Sequence, residues 1–336
     1  RHLLTMTHGI PGISEMEIGA LRSLPIPMDQ WFETTAKKPL ENAPGEKFRY
    51  LNAGYTVLGL IIERISGKSY GDFMQETIFT PLKMNRTAYE DPFRIIKNRA
   101  TGYNQLPSGP VTNLPYREIV RFHAAGGIYS TTEDLLIWDQ ALYDEKLLTK
   151  KSIEEMFTPF KEFYPGRSYG FGWLISEKFG RREIAHGGNA TGFITYFARY
   201  PEERLTVIVL SNNASGSAGK ISNALSAIVF GEKYDLPKER KAVSVASSVL
   251  DKYVGNYFVP SVSATFAITN ENGKLMTRRD KESKEELLAE SEDKFFLKTI
   301  DQQFTFLKNS NGEVTGLRVD LGDGVIYEFL KGERVK

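Results

Sequence analysis

The chain has 336 residues, long for one hydrophobic core, with 41% hydrophobic and 25% charged residues, ordinary values for a globular protein. The 43 basic and 42 acidic residues leave a formal net charge of +1 without a long run of one sign, so neither nucleic acid nor an anionic membrane is indicated as a partner. The absence of cysteine excludes disulfides, thiolate metal sites and a cysteine nucleophile.

Helical patterns dominate the first part of the chain. Apolar residues from Tyr55 to Ile65 cover most of a helix circumference and predict a buried helix. A short helix follows with Ser69 as its N-cap, and we expect Pro81 to stop it. Further along, Ser130-Thr131-Thr132-Glu133 is a capping-box pattern that predicts the start of another helix.

The pattern then changes to strands. The segments Tyr169–Glu177, Arg182–His186, Gly192–Tyr200 and Leu205–Ser211 are joined by short turns and predict an antiparallel meander. The last strand is almost entirely apolar, so we expect it to be covered on both faces, one of them by a helix over Gly219–Phe230.

Residues 235–249 mix charged and small residues and are typical of a linker. Beyond them, short strands and hairpin turns such as Asn272-Gly273 and Asn311-Gly312 recur. The predicted strands are Ala264–Thr269, Lys274–Arg278, Phe295–Lys298, Phe304–Lys308, Gly316–Asp320 and Val325–Leu330. This pattern predicts a small antiparallel barrel or curved sheet.

Tyr50-Leu51-Asn52 is the first candidate for chemistry. It lies at the entrance of the predicted helix, where helix-terminal N–H groups also point. A tyrosine phenol has an ordinary pKa of about 10, so it acts as a base only where cationic neighbours lower that pKa. The alternative is an amphipathic tyrosine that packs at a helix start, and the tripeptide alone favours this alternative.

His186-Gly187-Gly188-Asn189 is the second candidate, at the end of a predicted strand. Its glycines let an extended substrate approach the strand edge, and a free N–H after them would serve as an oxyanion donor. The alternative, favoured by the tetrapeptide alone, is a hairpin turn with a surface histidine. His2, His8 and His123 show no ligand spacing, so neither a metal nor another cofactor is expected.

In chain order, these segments resemble one family. The matching segments are Arg1–Ile10, Phe48–Tyr55, Gly126–Leu135, Tyr169-Gly170-Phe171-Gly172-Trp173 and His186-Gly187-Gly188. Over roughly residues 1–232 the chain resembles the serine β-lactamase and penicillin-binding-protein-like superfamily, on its class C and esterase side. From about residue 250, opening with Tyr253-Val254-Gly255-Asn256-Tyr257, it resembles a lipocalin-like domain often fused to such enzymes.

The resemblance implies an α+β fold. We expect a β-lactamase-like antiparallel sheet with helices on both faces and a helical subdomain in residues 1–234, with its N-terminal part missing. The linker 235–249 and a small antiparallel β-barrel in residues 250–336 would follow.

The resemblance also implies site roles. In this family the serine of a Ser-x-x-Lys motif attacks a carbonyl and forms an acyl-enzyme. Tyr50 would be the general acid/base, Asn52 would bind the substrate amide and orient the lysine, and His186 would lower the pKa of Tyr50 and hold a substrate carboxylate. The Asn189 N–H would form the oxyanion hole with that of the serine. Gly187 and Gly188 would bind substrate.

The family's nucleophile precedes the segment with which this chain opens, so we expect the nucleophile upstream of Arg1. Ser217-Ala218-Gly219-Lys220 has the literal spacing, but we interpret it as a helix cap, and Thr34-Thr35-Ala36-Lys37 is a poorer match. Two residues depart from the family pattern: His8 stands where serine is usual, and Lys83 replaces a common glycine.

The leading hypothesis is an acyl-serine hydrolase, which would be a peptidase or amidase, a β-lactamase or an esterase. Its substrate would be a small molecule or peptide: a β-lactam, a D-amino-acid peptide or an ester. The alternative is a non-catalytic binding protein on the same fold. A third hypothesis gives the C-terminal domain a regulatory role, either covering the cleft or forming an oligomer. The resemblance favours an extracytoplasmic or cell-envelope location in a bacterium.

Overall fold

The structure is a computed structural model of the chain. The residues that it describes are 1–11, 28–91, 93–105, 110–113, 123–164, 166–190, 192–214, 217–234, 240–259, 264–279, 284–297, 302–320 and 326–332. The chain divides into two compact units, Arg1–Gly102 with Asn113–Asn212, and Tyr103–Thr112 with Asn213–Lys336. The predicted domain boundaries at residues 234 and 250 stay a prediction.

Three of the described helices of the first unit begin at a side chain that caps them. The helices are α1 (Met28–Ala36), α2 (Asn52–Ser66), α3 (Tyr70–Met74), α4 (Thr80–Leu82), α5 (Thr132–Ala141) and α6 (Lys150–Met156), and the three capped ones are α3, α5 and α6. Ser69 caps α3 by accepting a hydrogen bond from the Asp72 N–H, as predicted. Thr131, and not Ser130, caps α5 by accepting from the Asp134 N–H.

Pro81 does not stop the helix that Ser69 begins. A π-helical turn, Gln75–Phe79, follows α3 and leads directly into α4. Pro81 lies in the first turn of α4, where no intrahelical donor is required, so the helical path continues until Lys83 at a φ of 60°. The helical path therefore ends at Leu82, one residue after Pro81 and not at it.

The buried face of α2 differs from the predicted apolar face. Its buried residues are small: Ala53, Gly54, Thr56 and Gly59. Ile61 and Ile65 are 40% and 82% exposed. Two imidazole rings occupy the space beside the glycines, because a Cβ on Gly54 would lie 2.5 Å from His8 Nε2 and one on Gly59 would lie 2.4 Å from His123 Nδ1.

Two short strand pairs precede the main sheet in the sequence. In the first unit β1 (Ala88–Tyr89) pairs with β4 (Ile128–Tyr129). The other pair is β2 (Tyr103–Gln105) with β3 (Val111–Asn113).

The main sheet of the first unit is a six-stranded antiparallel meander. Its strands are β5 (Lys161–Tyr164), β6 (Arg167–Tyr169), β7 (Leu174–Lys178), β8 (Arg181–Ala190), β9 (Phe193–Tyr200) and β10 (Leu205–Ser211). The predicted meander is confirmed, but the predicted strand Tyr169–Glu177 is divided by a turn in which Gly172 has a φ of 78°. That value lies in the left-handed region that favours glycine.

Strand β10 forms the edge of this sheet, since among the described residues it pairs only with β9. Val207 is buried, whereas Leu210 is 38% exposed. The expected cover on both faces is therefore incomplete within the part of the chain that the structure describes.

A buried ion pair ties α5 to the sheet. Arg199 Nε on β9 donates to Asp139 Oδ1 on α5 at 2.6 Å, and the two side chains are 1% and 2% exposed. Arg199 lies opposite Ile184 of β8 in the strand register. The same strand β8 carries His186, so this ion pair supports the strand that positions a candidate site residue.

The second unit is described by itself. Its helices are α7 (Ala218–Phe230) and α8 (Ser247–Leu250), and α8 leads into a 3₁₀ turn, Asp251–Tyr253. Ser217 stands at the N-cap of α7, the position predicted for it, although its side chain makes no capping hydrogen bond.

Eight antiparallel strands close into a barrel, which confirms the predicted small barrel. They are β11 (Gly255–Val259), β12 (Ala264–Glu271), β13 (Lys274–Arg279), β14 (Glu285–Ala289), β15 (Lys294–Leu297), β16 (Gln303–Lys308), β17 (Val314–Asp320) and β18 (Ile326–Lys331). The sequence missed β11 and β14. Tyr257, Phe304 and Leu317 are fully buried inside, so these side chains fill a packed core.

Candidate active site

One cavity of about 200 Å³ in the first unit brings together residues from distant parts of the chain. It is lined by Met6, Tyr50, Asn52, Tyr55, Ala125, Tyr169, Gly172 and His186. Three of the predicted site residues, Tyr50, Asn52 and His186, therefore meet. Gly187, Gly188 and Asn189 follow His186 on β8 and are not among the lining residues.

The start of α2 positions Tyr50 and Asn52. Leu51 is the N-cap residue, with extended backbone at a φ of −145°, and Asn52 is the first helical residue. Just before them, the Arg49 N–H donates to the Met6 carbonyl at 2.9 Å, which fastens this entrance to the N-terminal segment. Tyr50 is 48% exposed and stands at the rim of the cavity.

The hydrogen bonds of His186 define its tautomer. Its Nδ1 lies 2.7 Å from the Gly187 carbonyl oxygen, so Nδ1 carries a proton and donates. In the neutral ring Nε2 is then an acceptor, and it faces the Tyr169 hydroxyl at 3.5 Å. Burial lowers the pKa of His186 and outweighs the opposing effect of the Gly187 carbonyl. The imidazole is therefore neutral at pH 7.

Three rings form a triangle at the cavity. The ring centroids of Tyr50 and His186 lie 6.0 Å apart, those of Tyr50 and Tyr169 6.2 Å, and those of Tyr169 and His186 6.3 Å. Burial raises the pKa of Tyr169, and the neighbouring Tyr55 raises it further. The Tyr55 hydroxyl also donates to the Leu4 carbonyl at 2.8 Å.

Tyr55 and Tyr169 are cavity residues that were not predicted from the sequence. Both lay within matched segments, Tyr55 one helical turn after Asn52 and Tyr169 at the start of Tyr-Gly-Phe-Gly-Trp. The i, i+3 spacing of Asn52 and Tyr55 is the signal that would have placed both on one face of the helix.

The electrostatics correct one expectation. Burial raises the pKa of Tyr50, and no lysine, arginine, aspartate or glutamate is among the described residues that line the cavity. The predicted lowering of the Tyr50 pKa by His186 is therefore wrong, since a neutral imidazole supplies no charge. With these neighbours alone, Tyr50 is a neutral phenol at pH 7.

The backbone of β8 changes its pairing at His186. Strand β7 pairs with β8 only as far as Ala185, opposite Leu174. From His186 to Ala190, β8 continues along β9 alone among the described strands. An open strand edge at a cavity suits an extended substrate. The role of the Asn189 N–H as an oxyanion donor stays a prediction.

Neither stretch with Ser-x-x-Lys spacing belongs to the cavity lining. Ser217 and Lys220 lie at the start of α7 in the second unit. Ser291-Glu292-Asp293-Lys294, which has the same spacing, forms the turn between β14 and β15, where Ser291 Oγ accepts from the Lys294 N–H at 3.2 Å.

Among the described residues, no three histidine, aspartate or glutamate side chains cluster as metal ligands would. In the same part of the chain, no helix has the length and apolar character needed to cross a bilayer.

Residues 1–229 match the Beta-lactamase family over most of the chain. The chain belongs to this family. Residues 239–334 match a domain of unknown function, DUF3471. The family match and the closed barrel confirm the α+β class and agree with the lipocalin-like prediction for the C-terminal domain.

Relatives place this member among the serine acyl-transfer hydrolases. Penicillin-binding protein 4* of Bacillus subtilis is 31% identical over 331 residues, which are 91% of this chain and 72% of that protein. A D-aminopeptidase of Brucella ovis is 31% identical over 189 residues, 54% of this chain and 35% of that protein. The octameric penicillin-binding protein homologue from Pyrococcus abyssi aligns with a TM-score of 0.62 and 25% identity, covering 98% of this chain and 77% of that one.

Proposed function

We propose that the protein hydrolyses amide or peptide bonds of small D-amino-acid substrates through an acyl-serine intermediate. The observation that carries the proposal is the meeting of Tyr50, Asn52 and His186 at one cavity beside the open edge of β8. The names of the Bacillus and Brucella relatives support an amide or peptide as the substrate.

In the proposed reaction, an adjacent cation holds Tyr50 as a phenolate, the serine oxygen attacks the substrate carbonyl carbon, and the serine proton passes to the phenolate oxygen of Tyr50. The tetrahedral oxyanion lies between the N–H groups of Asn189 and the serine. The carbon–nitrogen bond then breaks, Tyr50 returns the proton to the leaving amine, and water hydrolyses the acyl-serine to release the acid. Asn52 holds the substrate amide, and the neutral His186 forms part of the cavity wall beside it.

The serine and a cation for Tyr50 come, in this proposal, from residues outside those that the structure describes. The described cavity lining contains neither serine nor lysine, and burial holds the pKa of Tyr50 above its ordinary value. A phenol with a raised pKa becomes a base only beside a positive charge. A Ser-x-x-Lys motif supplies both groups at once, because residues at i and i+3 lie on one face of a helical turn.

The first experiment combines acylation with mass spectrometry. The protein as its gene encodes it is incubated with a fluorescent penicillin, and intact mass and peptide mapping locate the adduct. We expect one adduct on the serine of a Ser-x-x-Lys motif, whose lysine follows three residues later, and a rate of acylation at least 100-fold lower in Tyr50→Phe. Tyr234→Phe, in the second unit, is the matched control. The absence of an adduct would contradict the proposal and favour a binding protein, whereas an unchanged rate in Tyr50→Phe would contradict the role of Tyr50 as the base.

The substrate class needs a second comparison. The p-nitroanilides of D-alanine and L-alanine differ only in the configuration of one carbon, and the release of p-nitroaniline measures the hydrolysis of each. We expect a higher kcat/KM for the D-substrate. A preference for L-alanine, or activity on p-nitrophenyl acetate alone, would replace the D-amino-acid assignment by a peptidase or esterase of another specificity.

Oligomer formation through the C-terminal domain is a further part of the proposal. The Pyrococcus homologue is described as octameric. Mass photometry of the protein at nanomolar concentration measures the state directly, and a single monomeric species would contradict an oligomer.

A further inference from the structure

His8 is a buried histidine that does not line the cavity but packs against the helix that opens it. His8 is only 4% exposed. The ring lies where a Cβ on Gly54, in the first turn of α2, would approach Nε2 to 2.5 Å and Cδ2 to 2.6 Å. His8 therefore contacts the turn that begins with Asn52.

The hydrogen bond at Nδ1 defines the tautomer of His8. The Ile10 N–H donates to Nδ1 at 2.9 Å, so Nδ1 carries no proton. In the neutral ring the proton is on Nε2. Burial lowers the pKa of His8, the nearby Arg49 charge lowers it further, and the donor at Nδ1 leaves no room for a second proton. The ring is a neutral donor at Nε2.

The Nε2–H has no ordinary partner. Nε2 is buried without a hydrogen bond among the described residues. The Leu51 carbonyl accepts from the N–H of Gly54, the residue that the His8 ring contacts, and this carbonyl raises the pKa of His8 against the larger effect of burial. An unsatisfied buried donor is rare in folded proteins, and hydrogen bonds at catalytic sites are often long before the substrate binds.

The helix start needs support of this kind. Leu51 is its N-cap and provides no side-chain capping bond, and the bond from the Gly54 N–H to the Leu51 carbonyl is long at 3.3 Å. The Leu51 carbonyl lies between Tyr50 and Asn52 in the chain. Any group that holds this carbonyl therefore sets the directions of both side chains at the cavity.

We propose that His8 is a positioning residue, which holds Tyr50-Leu51-Asn52 in register with the cavity through an Nε2–H directed at the Leu51 carbonyl. This inference rests on the proposed function, because it assigns to Tyr50 and Asn52 the roles described above. The buried Nε2–H distinguishes His8 from a purely structural core histidine, in which both ring nitrogens would make hydrogen bonds.

Two substitutions distinguish these roles. His8→Gln retains a donor near the position of Nε2, whereas His8→Asn retains an acceptor near the position of Nδ1 and withdraws the donor from Leu51. We expect His8→Gln to keep kcat for D-alanine p-nitroanilide within about threefold, and His8→Asn to lower kcat at least tenfold with little change in KM. Equal kcat values in the two variants, at equal melting temperatures, would overturn the proposal.

A measurement on the unmodified protein does not depend on how the variants fold. The chain has four histidines, so the ¹⁵N resonances of His8 can be assigned by comparison with His8→Gln. We expect the neutral Nε2–H tautomer at pH 7, and an Nδ1–H tautomer or a cation would overturn the proposal.

The two proposals fail in different ways. If the protein forms no adduct with penicillin, the proposed function fails whatever His8 does. If Tyr50→Phe is inert while His8→Asn retains full kcat, only the positioning role of His8 fails.

Discussion

The buried ion pair between Asp139 and Arg199 offers the sharpest test of the fold. Asp139→Asn keeps the size of the side chain and removes its charge. The Arg199 guanidinium would then be left at 1% exposure without a counter-charge, and its Nη2 already lacks a hydrogen-bond partner among the described residues. Breaking a buried pair in this way costs about 3–5 kcal/mol of unfolding free energy.

Aromatic rings do not replace the lost carboxylate. The Arg199 guanidinium carbon lies 4.7 Å from the Tyr143 ring centroid and 5.0 Å from that of Phe157. Such contacts contribute about 2 kcal/mol when desolvated and are present before and after the substitution. A loss of 3–5 kcal/mol corresponds to a fall in Tm of about 6–20 °C for a unit of roughly 200 residues.

Thermal and urea unfolding of the full-length protein measure this loss. The double variant Asp139→Leu/Arg199→Met removes both charges and should be more stable than Asp139→Asn, because no unpaired charge is left buried. Glu286→Gln is the control, since its ion pair with Lys274 at 3.1 Å has side chains 38% and 61% exposed and should contribute less than about 1 kcal/mol. A loss below 1 kcal/mol in Asp139→Asn would refute the reasoning.

Three further predictions concern packing and pH. Alanine favours helices more than glycine does, but Gly59→Ala should destabilise the protein by about 1–3 kcal/mol in urea unfolding, because its Cβ would lie 2.4 Å from His123 Nδ1. Unchanged stability would contradict this contact. Leu317→Ala, at 0% exposure in the barrel, should cost about 2–5 kcal/mol, and a loss under 1 kcal/mol would indicate a loosely packed interior. Burial lowers the pKa values of His8, His123 and His186, so the unfolded chain binds more protons below the ordinary pKa of 6.5. Stability should be full above that pH and fall as the pH drops towards the folded pKa values, by up to about 1.4 kcal/mol per pH unit for each histidine; a pH-independent unfolding midpoint between pH 7.5 and 5.5 would contradict this.

Local signals predicted the elements whose ends depend on a few neighbouring residues. Ser69 caps its helix, and Asn272-Gly273 turns the chain with φ values of 53° and 78°. In each case the capping group or the left-handed backbone is a property of the residue itself.

Elements that depend on distant partners were predicted less well. Strands β11 and β14 were missed because their pairing is supplied by neighbours across the barrel and not by a periodic pattern of their own. The buried face of α2 was misplaced because two imidazole rings from remote segments pack on its glycines. Pro81 was read as a stop because its position in a new first turn depends on the preceding π-helical turn.

The sequence by itself determined the family, the helix caps, the hairpin turns and the short motifs that contain Tyr50, Asn52 and His186, because each of these is encoded in consecutive residues. Only the tertiary structure decided that these three residues share a cavity with Tyr55 and Tyr169, and that the ring at position 186 is neutral. Burial and hydrogen-bond partners set protonation and tautomer, and both are created when strands and helices from distant parts of the chain pack together.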